Sequence, residues 1–290
     1  MNQNKQQLVH LYQLWPSNNR FLCRGRLMTG PSADHTTNLI TWILILLIGA
    51  PFIVYISPQI WIVLHPSLPI ISYVMYFSCV LFLFLTQFTD PGIIPRKDII
   101  EKMKDENLLH LIPTEADNSN YNIRICITCM IKKPPRSNHC AECDNCVDVF
   151  DHHCPFVNNC IGKRNYAYFI SFISTLTMAA ISFGIEFLCF VILIATNDEK
   201  VQQILIIILM VPFGICILLV FGLLVFHIFL IITGKTTKEQ LKNIEMDSTK
   251  RKCERTKSLF NCRLIVEKQK YDQIRYDYEL VDVNPIIIPA

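Results

Sequence analysis

A dense group of cysteine and histidine residues is the feature of this sequence with the clearest chemistry. Seven of the thirteen cysteines and three of the eight histidines fall within residues 126–160. Three overlapping pairs of cysteines there are separated by two residues, a spacing that lets a tight turn aim both sulfur atoms at one tetrahedral metal ion about 2.3 Å away. The pattern therefore predicts zinc binding rather than a framework of disulfide bonds.

This segment contains ten residues that could bind a metal ion through sulfur or nitrogen. The candidates are Cys126, Cys129, His139, Cys140, Cys143, Cys146, His152, His153, Cys154 and Cys160. A closed structural zinc site takes four protein ligands, so two zinc ions would use eight of these ten residues. Two residues are left over, and the count alone does not say which two they are, nor whether they are reactive or idle.

Four apolar stretches surround this segment, two before it and two after it. They cover residues 39–56, 69–88, 168–195 and 204–233. A helix needs about 20 residues to cross the hydrocarbon core of a bilayer, and the whole chain has a mean hydropathy of +0.33. The sequence therefore predicts an α-helical integral membrane protein with four transmembrane helices and a small cysteine-rich domain between spans two and three.

Charged residues are almost absent from these spans. Glu186 is the only acidic residue in them and His227 is the only histidine. A carboxyl group inside a membrane is expensive unless it serves a function or reaches water. Because Glu186 is close to the end of its predicted span, we expect water or lipid headgroups to reach it.

The basic residues indicate how the spans cross the membrane. Of the 27 Lys and Arg residues, all except Lys200 lie before the first span, between spans two and three, or after span four. The positive-inside rule then places both termini and the long central loop in the cytosol. The cysteines of that loop would lie in a reducing compartment, where they stay as thiols or bind metal. The Golgi, the endoplasmic reticulum and the plasma membrane are all compatible with such a multi-pass protein.

These features predict five segments along the chain. They are a cytosolic N-terminal segment (1–38), spans one and two (39–88), a cytosolic zinc domain (89–167, core 124–165), spans three and four (168–233) and a cytosolic tail (234–290). The N-terminal segment has no apolar run after a charged start, so we expect no cleaved secretory signal. The tail is compatible with an amphipathic helix or with disorder. The net charge of +3 gives no indication of a nucleic-acid partner.

The sequence Asp151-His152-His153-Cys154, within this cysteine spacing, resembles the cysteine-rich domain of the DHHC-type protein S-acyltransferases. The resemblance extends over the whole arrangement of two spans, a loop and two spans. Further similar motifs are Asp90-Pro91-Gly92, Pro134-x-Arg136, Asn158-Asn159-Cys160-x-Gly162, Asn165-x3-Phe169 and Thr236-Thr237-x-Glu239. Chance agreement on all of these motifs is negligible.

This resemblance implies two interleaved structural zinc sites. It assigns Cys126, Cys129, His139 and Cys146 to the first site, and Cys140, Cys143, His153 and Cys160 to the second. Because about 35 residues cannot bury a sufficient core alone, zinc would supply much of the folding energy. The residues left over are then His152 and Cys154.

The resemblance also implies a reaction. Cys154 would be the nucleophile, His152 its general base, and Asp151 the residue that orients the imidazole. Cys154 would accept a long-chain acyl group, palmitoyl above all, from acyl-CoA and pass it to cysteine thiols of proteins at the cytosolic membrane face. The expected partners are therefore the bilayer and these substrate proteins, with room for an accessory subunit.

Residues beside the reactive group are candidates for holding acyl-CoA. Lys132, Lys133 and Arg136 could meet its phosphates, although a basic patch that faces solvent or lipid headgroups fits the sequence as well. Such a patch would need no bound nucleotide.

Aromatic residues are candidates for lining the entrance of the acyl chain. These are Phe156, Phe169 and Phe172, although ordinary helix packing explains the last two equally well. The family usually has Trp where this chain has Phe156, so the substitution bears on chain-length preference. After span four, Thr236, Thr237 and Glu239 resemble a family motif that is expected to support the catalytic segment.

Three other classes of protein remain as alternatives. A membrane adaptor with a zinc domain, including a catalytically inactive relative, would not be labelled by acyl-CoA. A transporter or channel would need a polar pathway, which the apolar spans make improbable. A membrane ubiquitin ligase also has interleaved zinc sites, but it lacks a spare Asp-His-Cys set and does not need the motif after span four.

Overall fold

The computed structural model describes residues 7–103, 106–118, 123–195, 200, 204, 208, 211–242 and 280–283. Long apolar helices account for nearly half of these residues, and short strands, short helices and turns form much of the remainder. The prediction of an amphipathic or disordered tail falls mainly on residues 243–279 and 284–290, which lie outside these ranges.

Short strands precede the first long helix. β1 (Gln7–His10) is followed by β2 (Arg20–Leu22), which pairs antiparallel with β3 (Leu27–Thr29). A turn at Cys23–Gly25 joins the last two strands, and Gly25 adopts a φ of 85° that a side chain would disfavour. This N-terminal hairpin lies against the domain that carries the cysteines, as the contacts below show.

The first span is a long helix with one irregular turn. It comprises α1 (His35–Pro51), a π-helical segment (Phe52–Ile56) and α2 (Ser57–Val63). The second span is α3 (Ser67–Phe88). Gly49 lets the two spans approach closely, because a Cβ atom at this position would lie 2.2 Å from the Tyr76 ring.

The loop between spans two and three contains several short elements. These are β4 (Ile93–Ile94), α4 (Lys97–Met103), a 3-10 helix (Glu106–Leu111), α5 (Glu115–Asn118), β5 (Ile125–Cys126), β6 (Ile131–Lys132), β7 (Asn138–Cys140), β8 (Asn145–Val147), β9 (His152–Cys154) and β10 (Asn159–Ile161). β5 pairs with β6, β9 pairs with β10, and β4, β8 and β7 form a three-stranded sheet in that order. All of these pairs are antiparallel. The hairpins place cysteines at neighbouring positions in space.

This domain has a hydrophobic core that is larger than the cysteine-rich segment alone could supply. The buried cysteines are packed together with Ile99, Ile100 and Leu108 from the preceding connector. Trp15 and Met28 of the N-terminal segment complete the same cluster. The N-terminal segment is thus part of the fold of this domain, which the sequence pattern did not indicate.

The last two spans follow β10. α6 (Tyr166–Phe190) continues into a π-helical segment (Val191–Ala195), and α7 (Val211–Thr233) forms the fourth span. α6 packs against both α3 and α7. A short helix, α8 (Thr237–Leu241), comes directly after span four, and β11 (Leu280–Val283) pairs antiparallel with β1.

Four segments are long and apolar enough to cross a membrane. They are Ser32–Val63, Ser67–Phe88, Tyr166–Leu193 and Phe213–Thr233. This confirms the prediction of a helical multi-pass protein with a cysteine-rich domain between spans two and three. Backbone polar groups in a bilayer must pair within the chain, which is why each apolar stretch forms a helix.

The expectation that water reaches Glu186 at the end of its span is wrong. Its side chain is fully buried, and the Ser57 hydroxyl donates a hydrogen bond of 2.5 Å to Oε2. The first helix continues to Val63, beyond the predicted end at residue 56, and this extension places Ser57 beside the carboxyl group.

Candidate functional site

Two groups of four Cys and His residues that could each hold a metal ion lie side by side in the cysteine-rich domain. The first contains Cys126, Cys129, His139 and Cys146, and the second contains Cys140, Cys143, His153 and Cys160. Within each group, the ligand atoms all lie within 4.8 Å of one another. These are the two sets that the resemblance implied, and β7 supplies one ligand to each because His139 and Cys140 are consecutive.

The distances within each group fit one tetrahedral ion. In the first group, Nδ1 of His139 lies 3.4 Å from Sγ of Cys129 and 3.9 Å from Sγ of Cys146. In the second, Nδ1 of His153 lies 3.4 Å from Sγ of Cys143 and 3.5 Å from Sγ of Cys160. Ligands bonded to one zinc ion at about 2.3 Å are separated by about 3.8 Å. Three thiol groups and one imidazole also make a donor set that suits zinc.

A carboxylate lies beside the second ring nitrogen of the histidine in each group. Nε2 of His153 lies 2.7 Å from Oδ2 of Asp34, which precedes the first span. Nε2 of His139 lies 3.5 Å from Oδ1 of Asp144. A carboxylate on the second ring nitrogen favours the tautomer whose Nδ1 can bind a metal ion. Asp34 was not identified from the sequence, because it lies 119 positions before His153.

Asp151, His152 and Cys154 lie outside both metal groups, at the β9–β10 hairpin. Nδ1 of His152 lies 2.9 Å from Oδ2 of Asp151, whose carboxyl group is buried. The His152 ring packs edge-on against the Phe169 ring at a centroid distance of 5.3 Å. Cys154 is buried, with 8% of the residue exposed.

The pKa values of Cys154 and His152 favour transfer of the thiol proton to the imidazole. Burial tends to raise the pKa of the Cys154 thiol, but the hydrogen bond and positive charge of His152 lower it below its usual value. Burial tends to lower the pKa of His152, but hydrogen bonds with Asp151 and Cys154 raise it to about 9. Both changes favour a thiolate next to an imidazolium, which is the nucleophilic form of cysteine.

A tight turn follows Cys154 and points backbone donors at its sulfur atom. The N–H groups of Phe156 and Val157 form hydrogen bonds to the thiol group and help to lower its pKa. Asn158 ends the turn with a φ of 46°, and its N–H donates to the Pro155 carbonyl. This arrangement can stabilise negative charge on sulfur.

The short helix after span four contacts the same site. The Thr237 hydroxyl donates to Oδ2 of Asp151, and the Thr237 N–H donates to Oδ1 at 3.2 Å. Thr236 caps α8 through a reciprocal pair of hydrogen bonds with Glu239. The motif after span four is therefore in contact with Asp151.

Arg136 joins this helix to the zinc domain. Its guanidinium donates to both carboxylate oxygens of Glu239 at 2.8 Å and to the Gly234 carbonyl at 2.9 Å. Arg136 and Glu239 are both buried. A forked ion pair of this kind sets both position and angle.

A second set of contacts joins the domain to spans two and three. The Asp90 carboxylate accepts the N–H groups of Gly92 and Ile93 and pairs with Arg164 at 2.5 Å. The Asn159 amide donates to the Thr86, Gln87 and Thr89 carbonyls at the end of α3. The motif at Asp90 thus lies at the end of the second span and is joined through Arg164 to the start of the third, a contact that its resemblance to a family motif did not reveal.

A buried apolar cluster joins Cys154 to residues of the spans. Its members include Cys79, Leu83, Cys154, Val157, Ile161, Tyr166, Phe169, Phe172 and Ile173, with Trp42, Ile45, Leu224 and Ile231 partly buried against them. Of the three predicted acyl-lining residues, Phe169 and Phe172 belong to this cluster. The Phe156 side chain is 59% exposed, so only its backbone faces the thiol.

The three predicted CoA-binding cations have different surroundings. Arg136 is buried in the ion pair with Glu239, and Lys132 pairs with Asp117 at 3.0 Å. Lys133 is half-buried. The pKa of Lys238 is lowered mainly by burial, next by the positive charge of Lys242, and then by that of Lys133. Lys238 was not identified from the sequence as a candidate for binding CoA, because it is one of many charged residues after span four.

His227 of span four was noted in the sequence only as an ionisable residue in an apolar span. Its Nδ1 lies 3.2 Å from the Tyr166 hydroxyl, and its ring centroid lies 6.0 Å from that of His152. His227 also packs edge-on against Phe169. The fourth span therefore helps to enclose the Asp151–His152 pair from the membrane side.

Comparisons with known proteins point to one family. A family model described as DHHC palmitoyltransferase matches residues 119–244. Probable protein S-acyltransferases 2 and 3 of Arabidopsis thaliana are 35% and 33% identical to this chain over 80% and 81% of its length. Palmitoyltransferase ZDHHC5 of Homo sapiens is 36% identical over 68% of the chain, which corresponds to 28% of that protein. The chain spans 62% of the length of each Arabidopsis relative.

Proposed function

We propose that this chain, which belongs to the DHHC palmitoyltransferase family, transfers a long-chain acyl group from acyl-CoA to cysteine thiols of other proteins. One observation carries the proposal above the others. Cys154 is the cysteine of the zinc domain that belongs to neither metal group, and it interacts with His152 and belongs to the buried apolar cluster that includes residues of the spans. A nucleophile in this place can attack the thioester of acyl-CoA while the polar CoA part lies toward the cytosol and the acyl chain lies among the spans.

The first step loads Cys154. Its thiolate attacks the thioester carbonyl of acyl-CoA, so that the bond from Sγ to the acyl carbon forms and the bond from that carbon to the CoA sulfur breaks. His152 gives its proton to the departing CoA thiolate. Asp151 holds the imidazole through its bond of 2.9 Å to Nδ1.

The second step unloads the enzyme. The thiol of a substrate cysteine passes its proton to His152 and attacks the acyl carbon of the intermediate, and Cys154 leaves as a thiolate. Both steps exchange one thioester for another, so no external energy source is needed. Ping-pong kinetics with an isolable acyl-enzyme are expected.

The apolar cluster would hold the acyl chain. Each methylene group that leaves water contributes about 0.8 kcal/mol, so a palmitoyl-length chain gains much of its affinity from burial. Phe169 and Phe172 lie in the buried cluster with Cys154 and support this assignment. Phe156 is a weaker candidate, because its side chain is mostly exposed.

Lysine side chains of the zinc domain and of α8 would contact the CoA phosphates. Lys133 and Lys238 are the best placed, because Lys132 and Arg136 already form ion pairs with carboxylates. A point charge such as lysine binds phosphate without a fixed geometry.

The metal in both groups is proposed to be zinc in a structural role. When bound, zinc supplies folding energy by joining hairpins that have little core of their own. Cys126, Cys129, His139 and Cys146 would hold one ion, and Cys140, Cys143, His153 and Cys160 the other.

The proposed orientation places the zinc domain and both termini in the cytosol. The distribution of basic residues supports it, since Lys200 is the exception among the Lys and Arg residues. Membrane-proximal cysteines of proteins at the cytosolic face of the Golgi, endoplasmic reticulum or plasma membrane would then be the acceptors.

The test is labelling of purified protein with an alkyne-bearing palmitoyl-CoA. Wild-type protein should form a hydroxylamine-sensitive adduct and pass the label to an added cysteine peptide, and Cys154→Ser should do neither. Cys23→Ser is the matched control, because Cys23 is exposed and lies outside both metal groups. Equal labelling of the Cys154→Ser variant would refute the mechanism, and the absence of labelling in wild type would favour a membrane adaptor.

A further inference from the structure

We propose that Asn38, at the start of the first span, is a positioning residue for the turn that carries Cys154. The inference rests on the proposed acyl transfer and goes beyond the zinc domain, because Asn38 lies outside every motif that resembles the family. Asn38 belongs to α1 and is 2% exposed. A buried amide without partners would be costly, and both Nδ2 and Oδ1 of this one take part in a chain of hydrogen bonds.

The chain of hydrogen bonds links two spans to the turn. The Trp42 indole N–H donates to Oε1 of Gln87 at 2.8 Å. Nε2 of Gln87 donates to Oδ1 of Asn38 at 2.9 Å, and Nδ2 of Asn38 donates to the Phe156 carbonyl at 2.8 Å. Every donor in this series faces an acceptor, so the side-chain amide of Asn38 has one orientation.

The Phe156 carbonyl belongs to the same peptide unit as the Val157 N–H. A trans peptide is planar, and its carbonyl and N–H point in opposite directions. By binding the carbonyl on one side, Asn38 fixes the plane in which the N–H points at the Cys154 sulfur atom. A rotation of this plane would remove the donor from the sulfur and move the thiol relative to His152.

The N-terminal segment holds the far end of the same turn. The Gly30 N–H and the Thr29 hydroxyl both donate to the Asn158 carbonyl, at 2.6 and 3.0 Å. A Cβ atom at position 30 would lie 2.7 Å from that carbonyl oxygen, so only glycine permits this approach. Contacts with residues 29–38 therefore hold the turn after Cys154 at two points.

A positioning role predicts an effect on rate rather than on substrate affinity. Loss of alignment at a nucleophile lowers the rate of the chemical step, while the acyl chain and the CoA phosphates bind elsewhere. Asn38→Leu keeps the size of the side chain and removes both polar groups. We expect the maximal rate of acyl-enzyme formation to fall about tenfold, with the KM for palmitoyl-CoA changed less than about twofold.

The experiment measures single-turnover labelling of full-length protein in detergent micelles across palmitoyl-CoA concentrations. Thr41→Val is the matched control, because the Thr41 hydroxyl bonds only to the Thr37 carbonyl within the same helix among the contacts that the structure describes. Gln87→Met should also slow labelling. When it is combined with Asn38→Leu, it should lower the rate by less than a further factor of about two, because both changes break the same series of hydrogen bonds. Zinc content, measured on the same samples, reports whether the domain is folded.

The outcomes separate this inference from the proposed function. If wild type is not labelled, the acyl-transfer proposal fails and the inference with it. If wild type is labelled and folded Asn38→Leu matches it in rate, only the positioning role is overturned. If Asn38→Leu loses its zinc, Gln87→Met alone decides, since it keeps the length of the side chain and removes the N–H that faces Asn38. A decrease of about threefold in rate at constant KM would support the role, and an unchanged rate would overturn it.

Discussion

The Thr237 hydroxyl donates a hydrogen bond to the Asp151 carboxylate, although the two residues lie 86 positions apart. Thr237 begins α8 just after the fourth span, and Asp151 precedes β9 in the zinc domain. Asp151 in turn contacts Nδ1 of His152. The position of the proposed general base is thus tied to the exit of the last span.

Removal of this hydroxyl should slow acyl transfer. Thr237→Val keeps the shape of the side chain and removes the donor to Asp151, so the carboxylate holds the His152 ring less firmly. We expect the maximal labelling rate to fall about tenfold with little change in the KM for acyl-CoA. Thr233→Val is the control, because the Thr233 hydroxyl bonds to carbonyls of its own helix. Equal rates for the two variants would show that Thr237 does not act through Asp151.

The buried pair of Arg136 and Glu239 should be important for stability. Glu239→Gln leaves a buried guanidinium without its counter-charge, which destabilises a protein by about 3–5 kcal/mol. We expect a lower temperature of unfolding in detergent, measured by the fluorescence of a thiol-reactive dye.

An exposed ion pair provides the comparison for that experiment. Lys97 and Glu101 on α4 are 3.7 Å apart and solvent-exposed, so Lys97→Ala should cost less than about 1 kcal/mol. If Glu239→Gln and Lys97→Ala lower the unfolding temperature equally, the buried pair does not join α8 to the domain in the way the geometry indicates.

Asp34 should strengthen the second metal site from outside it. Asp34→Asn removes the negative charge that faces Nε2 of His153, and loss of such a partner weakens metal binding about 10–100-fold. Competition with a chelator, followed by metal analysis, should show one zinc ion released earlier and the other unchanged. Asp98→Asn, at an exposed carboxylate of α4, should behave as wild type. Simultaneous early loss of both ions would contradict a site-specific effect of Asp34.

Lys133 should contribute to the binding of the CoA phosphates. Lys133→Glu replaces a charge that attracts the CoA phosphates by one that repels them. The KM for acyl-CoA should therefore rise about tenfold while the maximal labelling rate changes little. The effect should shrink at high salt, because salt screens the attraction between lysine and phosphate charges that solvent can reach. Lys102→Glu makes the same change of charge on α4 and should leave the KM unaltered. A KM that does not respond to Lys133→Glu would indicate that this patch faces solvent or lipid headgroups.

Removal of zinc should unfold the domain that carries Cys154. Metal binding and folding are coupled when the ligands come from separate short hairpins, and β7 supplies His139 to one site and Cys140 to the other. Prolonged chelation should therefore release both ions, abolish acyl labelling and expose residues 123–165 to proteolysis. Full activity of metal-free protein would rule out a structural role for zinc.

Much of this architecture could be predicted from the sequence because it depends on local patterns. Apolar stretches of span length must form helices in a bilayer, and the first helix differed mainly in its end, which lies at Val63 rather than near residue 56. Pairs of cysteines two residues apart indicated metal binding for the same reason, since a short turn is enough to bring two sulfur atoms together. The roles proposed for Asp151, His152 and Cys154 stay predictions.

Contacts between distant segments could not be predicted in this way. The sequence suggested that Arg136 binds phosphate, yet the fold places Glu239 beside it and buries both. Glu186 was expected near water, and the extension of the first helix brings Ser57 to it instead. A charged residue has no local pattern that reveals its partner, so only packing decides which ion pairs form.

Residue types and spacing by themselves determined that this chain has four stretches apolar enough to span a membrane and a domain with two residues more than two tetrahedral metal sites need. The resemblance to the DHHC-type family implied that these two residues are His152 and Cys154. Tertiary structure alone decided what surrounds that excess pair: Thr237 from beyond the fourth span, Asp34 behind a metal ligand, and Asn38 under the turn that follows Cys154. Hydropathy and ligand spacing act over a few residues along the chain. Hydrogen bonds between residues 86 to 119 positions apart exist only once the helices have packed.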